Sequence, residues 1–119
     1  MTTVLTGGGT LGEGIQLWDI RNLDKAFSTI NWTSVKDKVN PMVYCCRFVP
    51  NQPLVLAGAR DDVAAKCFDI SNGSVVKEFP IANDAYCMDI SKNAGLVGFG
   101  DGDGWLHMEN LNYTIDTKQ

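Results

Sequence analysis

The 119-residue chain carries 10 basic against 14 acidic residues, a formal net charge of -4, with 45% apolar and 20% charged positions. That size allows one domain or part of a larger one, and that balance belongs to a chain with a core to bury, which excludes disordered, collagen-like and coiled-coil architectures. With no run of Lys or Arg, a surface that tracks nucleic-acid phosphates is not expected, and no apolar stretch approaches the roughly 18–20 residues of a membrane span.

Along the chain, Gly, Asn and Asp punctuate short runs rich in Val, Ile, Phe and Tyr, and no window keeps a 3.6-residue apolar period over three turns. The pattern predicts an all-β chain. Strands are expected near Thr3–Thr6, Ile15–Ile20, Ala26–Trp32, Val43–Val49, Leu54–Ala59, Ala64–Ile70, Ser74–Phe79, Ala85–Ser91, Leu96–Phe99 and Trp105–Leu111. The longest gap, Thr33–Met42, is polar and ends in Asn40-Pro41, which suits a loop between larger units.

Met1-Thr2-Thr3 lacks the basic and apolar regions of a secretory signal, so the expected location is cytoplasmic or nuclear. Thiols stay reduced there. Cys45, Cys46, Cys67 and Cys87 lack metal-ligand spacing, and the single histidine, His107, offers them no partner motif; they are read as small buried hydrophobes. The sequons at Asn31, Asn72 and Asn112 carry no weight without a secretory route.

A period of about 40 residues is visible, as in propellers and solenoids. Val43-Tyr-Cys-Cys-Arg-Phe48 recurs 42 residues later as Ala85-Tyr-Cys-Met-Asp-Ile90, and Ala65-Lys-Cys-Phe-Asp-Ile70 recurs 41 residues later as Leu106-His-Met-Glu-Asn-Leu111. Ile15-Gln-Leu-Trp-Asp-Ile20 stands 50 residues before the Ala65 segment. These are three repeats, at about 1–39, 40–81 and 82–119, the first lacking its first strand.

Gly14-Ile-Gln-Leu-Trp-Asp-Ile20, with its Trp18-Asp19 dipeptide, resembles the third strand of a WD-repeat blade, and Val43–Ile81 resembles a whole blade. The resemblance covers nearly the whole chain through order and spacing. It implies a WD-repeat β-propeller fragment of four-stranded antiparallel blades, about two and a half of them. It departs from the family in having no Gly-His pair before a first strand and Glu109-Asn110 in place of Trp-Asp. A family propeller closes with about seven blades of roughly 40–45 residues, so the resemblance implies a protein partner, another chain or segment that completes the ring. Open blade faces and edges would leave the isolated chain adhesive.

Gly7-x-Gly9-x-x-Gly12 follows an apolar strand and matches a dinucleotide fingerprint. It supports the alternative of a nucleotide-binding, Rossmann-like enzyme fragment, with Leu11, Ile15 and Trp18 on one face of a following helix. Gly14 and the absence of an alternating strand-helix-strand pattern favour a glycine-rich turn between antiparallel strands instead. Asp101-Gly-Asp-Gly104 has Trp105 and Leu106 where an EF-hand needs a ligand and glycine, and is read as a type I′ hairpin turn. His107 is expected to alternate outward between Leu106 and Met108, with no nucleophile at a recognisable spacing. No catalytic residue, cofactor or metal site is assigned.

What remains is a non-enzymatic protein–protein interaction scaffold, a subunit or segment of a larger assembly. In WD-repeat proteins partners dock on the face around the central channel. Carried over, that resemblance selects Tyr44 and Tyr86 on the innermost strands, and Asp61 and Gly102 in the turns before third strands. Trp32 and Trp105 are alternative candidates for adhesive blade faces.

Overall fold

The computed structural model describes residues 3–8, 14–32 and 41–111. Ten strands follow in chain order: β1 (Thr3–Gly7), β2 (Ile15–Asp19), β3 (Ser28–Ile30), β4 (Val43–Phe48), β5 (Leu54–Asp61), β6 (Ala65–Asp69), β7 (Val75–Phe79), β8 (Asn83–Ile90), β9 (Leu96–Asp101) and β10 (Leu106–Asn110). The chain is all-β: among the described residues there is no helix, and so none long and apolar enough to cross a membrane. Each strand overlaps one expected from the sequence, as β-branched and aromatic residues favour a pleated, half-buried surface. The boundaries differ where strands meet. β5 runs on to Asp61 and β8 begins at Asn83 because Arg60 pairs with Asp84 and Asp61 with Asn83.

Every pairing is antiparallel. β1-β2-β3 form one sheet, and a second curls through the order β10-β9-β8-β5-β6-β7, with β4 also on β5. Only two residue pairs join β5 to β8, so the larger sheet turns at that joint. Three leaves result: a first (β1–β3), a middle (β4–β7) and a last (β8–β10).

The leaves bury two apolar clusters. Ile15, Leu17, Ile30 and Trp32 of the first leaf and its trailing segment meet Val43, Val55, Ala57, Ala59 and Phe68 of the middle one. On the other side Leu54, Leu56, Ala65, Cys67 and Phe79 meet Ala85, Val97, Phe99 and Leu111. Alternate residues of β5 thus serve opposite cores, which is why Leu54–Ala59 reads as a continuous apolar run. Full burial of each large apolar side chain contributes about 1.5–3 kcal/mol.

Close approach between leaves requires glycine at one recurring place. A Cβ on Gly7 would stand 2.7 Å from Val43 Cγ1, and one on Gly58 would stand 2.8 Å from the Ala85 carbonyl oxygen. Gly7, Gly58 and Gly100 occupy matching ladder positions, opposite Ile15, Ala65 and Leu106. The turns after β2 and β6 also match: Asp19 Oδ1 accepts from the Arg21 amide and Asp69 Oδ1 from the Ser71 amide, at 2.9 and 2.8 Å. The Arg21 guanidinium and the Ser71 hydroxyl hold these two carboxyls below the usual range.

Three expectations and one alternative are corrected. Ile15–Asp19, where a dinucleotide fingerprint needs a helix, is strand β2, antiparallel to β1; Gly9, Leu11 and Gly12 lie outside the described residues. The β9–β10 turn is not type I′: Gly104 has φ +87° and its amide donates to the Asp101 carbonyl, so a three-residue loop with one left-handed glycine closes the hairpin. Trp32 is 1% exposed, sealed between leaves. Cys87 is exposed and Cys45 and Cys46 half-buried, leaving Cys67 as the buried thiol.

Candidate functional site

β4 and β8 run along one rim of the molecule with their repeat-equivalent residues opposed. Each carries a register shift against its partner strand, between Val43 and Cys45 in one and between Ala85 and Cys87 in the other. A bulge releases the extra residue from the ladder and re-aims its side chain, and the residues released are Tyr44 and Tyr86. Their rings meet with centroids 4.8 Å apart at 56°, a tilted geometry that suits the ring quadrupoles. Three residues on, Arg47 and Asp89 form an ion pair across the same two strands.

Around the tyrosine pair the rim is charged. The Tyr86 hydroxyl donates to Asp84 Oδ2 at 3.3 Å, and Arg60 Nε lies 3.9 Å from Asp84 Oδ1, which accepts no hydrogen bond. The Asp84 carboxylate pushes the Tyr86 hydroxyl above its usual pKa, since a phenolate beside it would meet like charge. Gly102 lies beneath this group: its amide donates to the Asp84 carbonyl, and a Cβ there would stand 3.2 Å from the Tyr86 ring. Three of the four residues selected from the sequence, Tyr44, Tyr86 and Gly102, therefore converge.

Asp61 is held differently. Its Oδ2 accepts from Trp32 Nε1 at 2.9 Å, tying the middle leaf to the first, while Lys66 Nζ lies 5.1 Å from the centroid of the same indole. The structural counterpart of Gly102 is Arg60, since the Arg60 amide donates to the Met42 carbonyl as that of Gly102 does to Asp84. Sequence reasoning passed over Arg47, Asp89, Arg60 and Asp84. The 42-residue spacing that picked out the tyrosines also set Arg47 against Asp89, an opposite-charge match that was the available signal.

His107 turns inward, contrary to expectation: Nε2 lies 2.6 Å from Asp101 Oδ2, and Leu106 and Met108 are the exposed neighbours. This contact, with amides of Trp105 and Asp103 on Oδ1, holds the Asp101 carboxyl below its usual pKa. Burial pushes the Cys45 and Cys67 thiols up to about 11 and raises Cys46. Among the described residues, no three His, Cys, Asp or Glu side chains converge as a metal ligand set.

No family model matches the sequence, and no curated protein matches it. Among solved structures the chain is similar to the computationally designed Ika4 protein, seen in a crystal structure, with a TM-score of 0.69 at 15% identity over 92% of this chain and 61% of that one. This chain thus spans about 61% of the designed protein's length, and the likeness concerns the fold alone.

Proposed function

We propose that the chain is a partial WD-repeat propeller acting as a non-enzymatic scaffold, with protein partners docking on the rim formed by Tyr44, Tyr86 and Gly102. Asp61 stands apart from that cluster as a tie between leaves. The observation that carries the reading is the tyrosine pair, projected at two equivalent bulges from adjacent strands and half-exposed. Tyrosine combines a large contact area with a hydroxyl at small entropic cost and is enriched at interface hot spots. The blade-like order of the four-stranded middle leaf, the 41–42-residue spacing of its counterpart and the matched Asp19 and Asp69 turns support the WD-repeat part. Further leaves from another chain or segment would complete the ring, in the cytoplasm or nucleus.

The experiment is partner recovery with the full chain and with Tyr44→Ala/Tyr86→Ala, after circular dichroism has matched the two folds. The reading expects proteins recovered with the first to be lost with the second. Recovery of an identical set by both chains overturns it.

A further inference from the structure

The two ends of the stack of leaves are, position by position, the two kinds of face that pack together inside it. In the middle leaf the face of Leu54, Leu56, Ala65 and Cys67 is fully covered by the last leaf, each residue being 0% exposed. The ladder registers place Leu96, Gly98, Leu106 and Met108 at the same positions of the last leaf: Gly98 faces Met108 as Leu56 faces Cys67, and Gly100 faces Leu106 as Gly58 faces Ala65. There the face is open, with Leu96 42%, Leu106 69% and Met108 54% exposed. These residues line a largely apolar groove together with Cys87 and Asp89, which the register sets opposite Gly100 and Gly98.

The first leaf ends the stack the other way. Its Leu5, Ile15 and Leu17 turn toward the middle leaf, so strand alternation puts Val4, Thr6, Gln16 and Trp18 on the far side, where Trp18 Nε1 donates to Thr6 Oγ1 at 2.9 Å. Val4 faces Trp18 and Thr6 faces Gln16 in the ladder. These pairs match Val55 with Phe68 and Ala57 with Lys66, which are the residues that receive the preceding leaf. Among the described residues of these ladders the one charge on either face is Asp89, opposite Gly98 and ion-paired with Arg47 of β4. The outer faces of terminal repeats are polar where they meet water, and an open apolar groove marks an interface.

We infer that the outer face of β8–β10 binds the outer face of β1–β3 of a second copy of this chain, head to tail, reproducing the packing between neighbouring leaves. Such a heterologous contact closes into a ring or extends, according to the rotation per copy. The inference rests on the reading of a chain completed by further leaves, and it names a second copy as the source.

The test is the mass of the full-length chain by light scattering in reducing buffer, so that the exposed Cys87 forms no disulfide, across micromolar to hundreds of micromolar concentration. The expected result is assembly to multiples of the 13.0 kDa chain mass. Val4→Glu and Met108→Glu each weaken self-association at least tenfold with the β circular dichroism spectrum kept, both side chains being exposed in the single chain. An equimolar mixture of these two variants retains one intact pair of faces and gives a species of two chains. A wild-type chain that stays monomeric throughout overturns the inference, as does a Val4→Glu variant that associates as well as wild type, since the last leaf would then pair with itself. Neither result touches the tyrosine rim, whose reading falls only if partner recovery ignores Tyr44 and Tyr86.

Discussion

Trp32 donates its indole N–H to Asp61 Oδ2 at 2.9 Å while its ring packs on Phe68, centroids 5.5 Å apart at 57°. One side chain thereby satisfies a polar group and fills a core at the seam between two leaves. Trp32→Phe keeps an aromatic ring and removes the donor, and should cost about 1–3 kcal/mol. Trp32→Ala adds a cavity and should cost about 3–5 kcal/mol. Urea titration followed by circular dichroism measures both: a Trp32→Phe cost near zero would show that the hydrogen bond contributes nothing, and equal costs that the ring packing does not.

Tyr44 and Tyr86 should be energetically coupled. A double-mutant cycle with alanine at each position is expected to return an interaction of about 0.5–1 kcal/mol, because tilted aromatic pairs contribute beyond the area they bury. A coupling near zero would mean that the rings meet without holding each other.

Gly58 and Gly100 hold matching positions with unlike surroundings. A Cβ on Gly58 would meet the Ala85 backbone and Cys45 Sγ, whereas on Gly100 it would meet only Cys87 Sγ, at 2.9 Å. The Cys87 side chain is exposed and free to move aside. Gly58→Ala should therefore destabilise by about 1–3 kcal/mol, and Gly100→Ala by no more than about 0.5 kcal/mol. Thermal denaturation of dilute samples distinguishes them, and the reverse order would refute the leaf packing described above.

Acid should loosen the last hairpin through Asp101. Its folded-state pKa is depressed by His107 and by two amides. A depressed carboxylate adds stability that is present above its unfolded pKa, near 3.8, and is lost as pH falls through the lower folded value. Asp101→Asn should remove this part of the acid transition and leave a flatter stability profile between about pH 5 and pH 2. Denaturant midpoints measured across that range supply the check.

Thiol labelling should rank the cysteines by burial. At about pH 8 thiols raised to about 11 are thiolate in only about one part in a thousand, so Cys45 and Cys67 should react slowly and the exposed Cys87 first. Mass spectrometry of timed alkylation gives the order directly, and early loss of Cys67 would mean that the core between the middle and last leaves opens readily.

The strands were legible because each leaf's apolar runs are short and bounded by Gly, Asp or Asn, and the equivalence of Tyr44 and Tyr86, though not the meeting of their rings, followed from a 42-residue recurrence. What stayed hidden depends on which side of a strand faces a neighbour. His107 sits between two apolar residues, so alternation alone allowed either face; the ladder register decides it, His107 standing opposite Phe99 as Lys66 stands opposite Ala57 in the middle leaf, on the side away from Leu106 and Met108. Trp32 reads as adhesive by composition, yet the indole is sealed because Phe68 and Asp61, far along the chain, offer it a stack and an acceptor. The bulges at Tyr44 and Tyr86 carry no Gly or Pro of their own to announce them.

The double-sided burial of β5 and β6 bears on how the chain matures during synthesis. The first and middle leaves emerge in succession and seal their shared core, but Leu54, Leu56, Cys67 and Phe79 stay uncovered until β8 and β9 arrive. A nascent chain that stalls before Val97 and Phe99 holds a nearly finished leaf with one side bare, the state in which sheet proteins aggregate most readily. Maturation therefore turns on the speed with which the segment from β8 onward follows the rest.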